Sequence, residues 1–129
     1  MFEEKAVHLL DKPKQFAVIT SIEPDGQPQS SVVWYKRDGD DLLISTVEGR
    51  RKHRNLARDP RCTVLVYDAD NPYSYVEVRG HVEMTHEGGR ELIDEFARAY
   101  QGWERYPADD GTDNVRVVVR LIADKVVSR

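Results

Sequence analysis

The residues best suited to chemistry in this chain form a basic segment at positions 50–61. The segment contains six of the nineteen lysines and arginines, at Arg50, Arg51, Lys52, Arg54, Arg58 and Arg61. Its only acid is Asp59, so it carries a net charge of +5, whereas the whole 129-residue chain carries −4. The segment is predicted to open a short helix, where free backbone N–H groups add to the positive charge. This pattern indicates a site for an anion such as phosphate; the alternative is a solvated basic face.

Two hydroxyl residues, Ser45 and Thr46, end the strand that is predicted just before this helix. Their O–H groups could add donors for the same anion. Arg51 and Lys52 open the helix, and they offer complementary donors: a guanidinium fork and a compact point charge. We therefore expect the end of this strand and the start of the helix to act together.

A pair of adjacent aromatic residues, Trp34 and Tyr35, lies on another predicted strand. Neighbouring side chains on a strand leave opposite faces of the sheet. One ring is therefore expected in the core, while the other is free to line a pocket for a flat ligand or a subunit interface. The alternative is that both rings serve only packing, as strand aromatics usually do.

Composition excludes several classes of protein. The chain is 33% charged and 40% hydrophobic, and it has no apolar run of about 18 residues, so no membrane span is expected. The lone Cys62 cannot form a disulfide framework, and the acidic balance argues against nucleic-acid binding. The spacing of His81 and His86 fits no ordinary zinc pattern, so no metal is expected. No leader segment is apparent at the start, and we expect a cytoplasmic location.

The length of 129 residues predicts one domain, residues 1–129, and hydrophobic periodicity predicts its elements. Strands are predicted at residues 16–22, 28–36, 42–46, 61–67, 74–84 and 114–122, and helices at residues 2–10, 50–58 and 87–100. Asp25-Gly26 and Asp38-Gly39 mark tight hairpin turns between the first three strands, and Gly102–Asp113 is predicted as an irregular loop. Six short strands with several hairpins indicate a mainly β fold, a six-stranded antiparallel barrel with minor helices.

Three sequence patterns follow one another along this predicted barrel. The first is FAVITSIEPDGQPQSSVVWY at 16–35, the second is LLISTVEGRRKHRNLARDPR at 42–61, and the third is SYVEVRGHVEM at 74–84. In this order and spacing they resemble the split β-barrel flavin and deazaflavin oxidoreductases, the superfamily that includes pyridoxamine-phosphate oxidase. The resemblance implies an FMN-binding split-barrel-like fold and a homodimer with the cofactor groove at its interface.

The resemblance also implies roles for particular residues. Arg51 and Lys52 would hold the cofactor phosphate with help from Arg50, while Ser45 and Thr46 would contact the phosphate or the ribityl chain. The cofactor ring would lie along four consecutive residues, Ser31, Val32, Val33 and Trp34.

Three further residues receive roles by the same resemblance. Asn55 would orient the basic helix or bind the cofactor tail. Ser74 and Tyr75 would reach across from the other subunit. The proton for the reaction would come from solvent or from Tyr75, which is the candidate catalytic residue.

The basic segment and the serines of the second strand look closest to the branch that uses coenzyme F420, a deazaflavin. Ser30-Ser31 stands where the pyridoxamine-phosphate oxidases have a basic residue, and extra arginines suit the acidic glutamyl tail of F420. The expected function is hydride transfer from F420 to a small electron-poor organic acceptor. Two alternatives stay open: an FMN-dependent oxidase or reductase, and a non-catalytic carrier of flavin or haem.

Overall fold

One antiparallel sheet organises the computed structural model, which describes residues 1–129. Its strands are β1 (Ala17–Ile22), β2 (Pro28–Val33), β3 (Lys36–Asp38), β4 (Asp41–Val47), β5 (Arg61–Tyr67), β6 (Tyr75–Thr85) and β7 (Arg116–Ser128). The helices are α1 (Glu4–Leu10), α2 (Arg51–Arg58) and α3 (Gly89–Gln101), with a short 3-10 turn at Pro107–Asp109. The strand order is β2-β1-β5-β6-β7-β4-β3, and every pairing is antiparallel. The mainly β, antiparallel split-barrel fold is thus confirmed, with seven strands rather than six.

The strand count differs because the segment predicted as one strand at 28–36 is broken at Trp34 and Tyr35. The Tyr35 backbone N–H donates to the Tyr100 hydroxyl at 3.2 Å, and that hydroxyl donates to the Gln15 carbonyl at 2.6 Å. A side chain of α3 thus takes the place of a sheet partner. The chain then crosses from β2, paired with β1, to β3, paired with β4, and this crossing opens the split in the barrel.

The last strand is longer than the predicted 114–122, because it continues to Ser128. Its first half pairs with β4, and it pairs with β6 as far as Ser128. The register shifts between Arg79 and Gly80 of β6, which leaves Asp124 of β7 outside the ladder. Asp124 and Lys125 at this bulge interrupt the alternation of apolar residues. The sequence therefore did not predict that the strand continues beyond Ile122.

Apolar residues are buried on both sides of the sheet. The main core fills the barrel interior and includes Leu42, Val64 and Leu121, while α1 closes over it through Leu9 and Leu10. A second cluster lies outside the barrel, where α3 covers β4 and β7 with Leu92, Ile93 and Phe96 against Leu43 and Val118. Full burial of such a side chain stabilises the fold by about 1.5–3 kcal/mol.

The pair at positions 34 and 35 is divided between these two clusters. Tyr35 is 4% exposed within the barrel core, and its hydroxyl donates to the Leu10 carbonyl at 2.7 Å. Trp34 instead packs on the outer cluster beneath α3. The expectation that the two rings leave opposite faces therefore holds. None of the helices has the length and apolarity needed to cross a membrane.

Candidate functional site

The split between β2 and β4 contains a polar groove of about 550 Å³. Its lining consists of Gln29, Ser31, Ser45, Thr46, Gly49, Arg50, Arg51, Lys52, Arg54 and Arg116. Six of the residues implied from sequence therefore meet here, contributed by β2, β4 and the start of α2. No acidic and no apolar side chain lines this groove.

The start of α2 accumulates positive charge. Arg51 and Lys52 occupy its first turn, Arg50 precedes them, and the turn holds no acid. Helix starts favour negative groups, because the exposed N–H groups already give them partial positive charge. Cations at this position are therefore unfavourable in the isolated chain, and an anion in the groove would relieve the repulsion.

Lys52 is the most enclosed cation of the cluster. Its side chain is half-buried, and burial lowers the pKa of its ammonium group, with a further lowering by the positive charge of Arg50. No carboxylate lies within 4.0 Å of it. By contrast, the Arg51 side chain is 64% exposed and its Nε lies 3.6 Å from a carboxylate oxygen of Glu23. A bound anion would therefore gain more from Lys52 than from Arg51.

Ser31 faces this groove from β2 with an unsatisfied hydroxyl. Its Oγ is inaccessible to solvent and has no hydrogen-bond partner, the one such side-chain atom in the chain. Buried polar atoms are nearly always paired, because an unpaired one costs about 1–3 kcal/mol. The orphaned hydroxyl indicates a ligand atom that completes the site.

Beside the polar groove lies an apolar groove of about 280 Å³. Its lining consists of Phe16, Val32, Val33, Trp34, Ser45, Ile93, Phe96, Tyr106 and Arg116. The Trp34 ring is stacked on Tyr100 with centroids 5.3 Å apart, and the Tyr106 ring meets it edge-on at 6.2 Å. These contacts fix the aromatic wall. The groove is suited to a flat apolar group.

Ser45 and Arg116 line both grooves, so the two grooves adjoin. Arg116 was missed from sequence, because it lies at the start of β7 in a run of valines and carries no local motif. Its partner is Asp109, in the loop predicted at 102–113, with Arg116 Nε 2.7 Å from Oδ2. Its guanidinium also lies 4.9 Å from the centroid of the Tyr106 ring. Only the tertiary structure brings these three residues to the split.

Asn55, Ser74 and Tyr75 line neither groove. Asn55 is 2% exposed, and its side-chain amide donates to Ser21 Oγ at 3.2 Å, which ties α2 to β1. Ser74 lies at the opposite side, where its hydroxyl donates to the Arg129 carbonyl at 3.2 Å. Tyr75 lines a separate groove of about 380 Å³ on the outer face of β5 and β6. A contact of Ser74 or Tyr75 with the split of this barrel would have to come from a second subunit.

Cys62, His81 and His86 line neither groove. Cys62 is 4% exposed, and burial raises the pKa of its thiol to about 12. The imidazoles of His81 and His86 each lie about 3 Å from one carboxylate, of Asp124 and Glu48 respectively. No three His, Cys, Asp or Glu side chains are grouped as a metal site requires.

A split antiparallel barrel with a cationic groove beside an aromatic groove places the chain in the class of split-barrel proteins like pyridoxamine-phosphate oxidase. Comparison with protein families agrees with this class. Residues 2–128 match the family described as pyridoxamine 5'-phosphate oxidase, and the chain belongs to that family.

Solved structures give the same classification. One described as an F420 reductase has a TM-score of 0.87 and 28% identity, over 99% of this chain and 100% of that one. A conserved hypothetical protein of Mycobacterium tuberculosis has a TM-score of 0.76 and 25% identity, over 98% and 82% of the two chains. A putative pyridoxamine 5'-phosphate oxidase of Listeria innocua, with 18% identity and a TM-score of 0.74 over 97% and 95%, shares the fold.

Proposed function

We propose that this protein is an F420-dependent oxidoreductase that reduces a small electron-poor organic acceptor. The observation that carries the proposal is that the two grooves adjoin and share Ser45 and Arg116. A ligand with a flat ring joined to an anionic chain matches that shape and charge. The similarity to a structure described as an F420 reductase supports the same cofactor.

The charge of the polar groove favours F420 over FMN. Its lining includes four cationic residues before and in the first turn of α2, Arg50, Arg51, Lys52 and Arg54, and no acid. The fifth cation of the lining, Arg116, is paired with Asp109. A phosphate monoester carries only about two negative charges at neutral pH. The remaining positive charge suits a cofactor with further carboxylates beyond its phosphate.

The residues present fit such a cofactor, as the orphaned hydroxyl of Ser31 and the uncompensated charge of Lys52 both call for a ligand. When bound, the deazaflavin supplies hydride transfer to an electron-poor double bond. The start of α2 holds the anionic end, and Trp34 with Tyr106 excludes water from the ring. Tyr106 and Arg116 are the only ionisable groups of the apolar groove, so the chain's contribution is binding and orientation rather than a catalytic triad.

The proposal includes a homodimer in which Ser74 and Tyr75 reach the partner's split, with Tyr75 as the candidate proton donor. The outer face of β2, β1, β5 and β6 supports it, because no helix covers this face and it exposes apolar side chains. Val32 is 67% exposed and Tyr67 is 46% exposed there. Tyr67→Arg is expected to shift the molar mass in light scattering from dimer to monomer. A dimer mass unchanged by this substitution would contradict the assigned interface.

An FMN-dependent oxidase or reductase is the second candidate, favoured by the family's description as pyridoxamine 5'-phosphate oxidase. The two cofactors are separated by titrating the pure protein with each and following fluorescence. We expect F420 to bind at least about tenfold more tightly than FMN, because it engages more of the cations. Tight binding of FMN without binding of F420 would overturn the cofactor assignment.

Turnover separates an enzyme from a carrier. The protein is mixed with reduced F420 and a panel of quinones, enones and tetrapyrroles, and the return of the oxidised cofactor's absorbance is followed. We expect reoxidation with at least one electron-poor acceptor, slowed in Lys52→Ala at subsaturating cofactor. Tight binding with no turnover on any member of the panel would instead support the non-catalytic carrier.

A further inference from the structure

Arg116 lies at the junction of the two grooves, and its guanidinium has N–H donors that no protein group accepts. Its side chain is 8% exposed. Of its five N–H groups, Nε and one on Nη2 go to the two carboxylate oxygens of Asp109 at 2.7 and 3.0 Å, and one on Nη1 goes to Ser45 Oγ at 3.4 Å. Two N–H groups therefore remain free at the point where the polar and apolar grooves meet.

Asp109 holds this guanidinium in one orientation. The carboxylate is 6% exposed and grips Arg116 through both oxygens, while the Asn114 amide donates to it at 2.9 Å. The Tyr106 ring covers one face of the guanidinium, with its centroid 4.9 Å away. Because the guanidinium of Arg116 is already held by Asp109 and Tyr106, it loses little additional conformational entropy when it binds a ligand.

The same ion pair largely cancels the charge of Arg116. Asp109 offsets it, while Arg90, whose Nη1 also lies 3.5 Å from Asp109 Oδ2, has a second acid in Asp94. By contrast, Lys52 has no acidic partner within 4.0 Å. Arg116 therefore attracts a distant anion weakly but still offers directional hydrogen bonds. Across the polar groove, the unpaired hydroxyl of Ser31 offers another polar contact. Such a pair suits carbonyl or hydroxyl oxygens better than a phosphate group.

We propose that Arg116 binds an acceptor atom where the flat ring of the ligand joins its chain, and that Asp109 is its positioning residue. This inference rests on the proposed function, because it requires a ligand that spans both grooves. It divides recognition into two parts: the start of α2 binds the phosphate, and Arg116 from β7 binds the uncharged junction.

Two pairs of ligands test this division of recognition. In each pair one ligand carries the phosphate and the other lacks it: F420 and its ring-and-ribityl core form one pair, and FMN and riboflavin form the other. Affinities of wild-type protein, Arg116→Lys and Lys52→Ala are measured by fluorescence titration. We expect Arg116→Lys to weaken both members of the pair that binds by a similar factor, about tenfold or more, since lysine keeps the charge but loses the fork. Lys52→Ala should weaken only the phosphate-bearing member.

Matched substitutions in the same loop provide controls. Arg105 and Asp110 form an exposed ion pair with Nη2 and Oδ2 2.7 Å apart, so Arg105→Lys and Asp110→Asn repeat the chemical changes away from the grooves. Asp109→Asn is expected to weaken binding about tenfold although it removes a negative charge, whereas Asp110→Asn leaves affinity unchanged or slightly higher. If Arg116→Lys does not fold by circular dichroism, Asp109→Asn provides the same test.

The outcomes separate this inference from the proposed function. Wild-type protein that binds none of the four ligands overturns both. Wild-type binding with affinity unchanged in Arg116→Lys, or with a loss confined to the phosphate-bearing ligand, overturns the role of Arg116 alone. Equal losses in Asp109→Asn and Asp110→Asn overturn the positioning role of Asp109.

Discussion

The two cations that open α2 are expected to contribute unequally to anion binding, and substitution of each by alanine measures the difference. Lys52 is half-buried and has no carboxylate within 4.0 Å. Arg51 is 64% exposed and lies 3.6 Å from Glu23. The enclosed cation should therefore dominate, although sequence gives both the same role.

The magnitude follows from these environments. A hydrogen bond to a charged group contributes about 1.5–3 kcal/mol, and the partial burial of Lys52 places it within that range, which corresponds to a loss of about 10- to 150-fold in affinity. An exposed ion pair contributes about 0.2–1 kcal/mol, and Glu23 already competes for Arg51, so Arg51→Ala should cost about fivefold or less. The double substitution should cost about 2–4 kcal/mol if the two act independently.

The assay is a calorimetric titration with F420, repeated at two salt concentrations. Lys125→Ala is the control, because Lys125 is an exposed lysine at the bulge of β7 and its substitution removes the same charge. The Arg51→Ala loss should shrink at higher salt, whereas the Lys52→Ala loss should persist, since buried charges are screened less. A larger loss in Arg51→Ala than in Lys52→Ala, or no loss in the double variant, would refute the reasoning.

Three other expectations concern α2 and the sheet. A Cβ at Gly80 would lie 1.9 Å from the Ile122 carbonyl oxygen, so Gly80→Ala should destabilise the fold by about 1–3 kcal/mol in urea unfolding; an unchanged midpoint would contradict this packing. Asn55→Ala leaves the buried Ser21 hydroxyl without its donor and should cost about 1–3 kcal/mol of stability; a loss of F420 affinity with no loss of stability would instead assign Asn55 to the cofactor tail. Burial lowers the pKa of Lys52 in the folded state below the ordinary 10.5, so between these two pKa values the unfolded state binds more protons than the folded state. The contribution of Lys52 to the free energy of unfolding therefore rises as pH rises from the folded pKa toward 10.5. A bound anion raises the pKa of Lys52 again, so anion binding at a pH near that pKa should be accompanied by uptake of part of a proton. Calorimetry in buffers of different ionisation enthalpy measures this uptake, and Lys52→Ala should abolish it.

Local sequence signals predicted most of the scaffold, because they depend on neighbouring residues. Short apolar runs predicted β1 and β5, and the alternation of apolar and polar residues predicted most of β6. The stripe of Leu92, Ile93 and Phe96 predicted the buried face of α3. The concentration of cations at 50–54 predicted the position of the cationic groove. These features follow from side-chain periodicity and from charge, which can be read along the chain.

The errors lie where a distant residue decides the local structure. The strand predicted at 28–36 is broken because the Tyr100 hydroxyl takes the hydrogen bond of the Tyr35 backbone N–H. The strand predicted to end at Ile122 continues because β6 supplies partners as far as Ser128. Neither partner is recognisable from the segment itself.

The sequence by itself determined most of the strands and the basic start of α2. The tertiary structure decided which distant residues line the grooves beside that helix start. Arg116 comes from the last strand and Asp109 from an irregular loop, yet they meet Ser45 of β4 at the junction of the two grooves. Periodicity shows which face of an element a residue occupies, and local charge shows where cations accumulate. Contacts between distant segments depend instead on how the whole sheet closes.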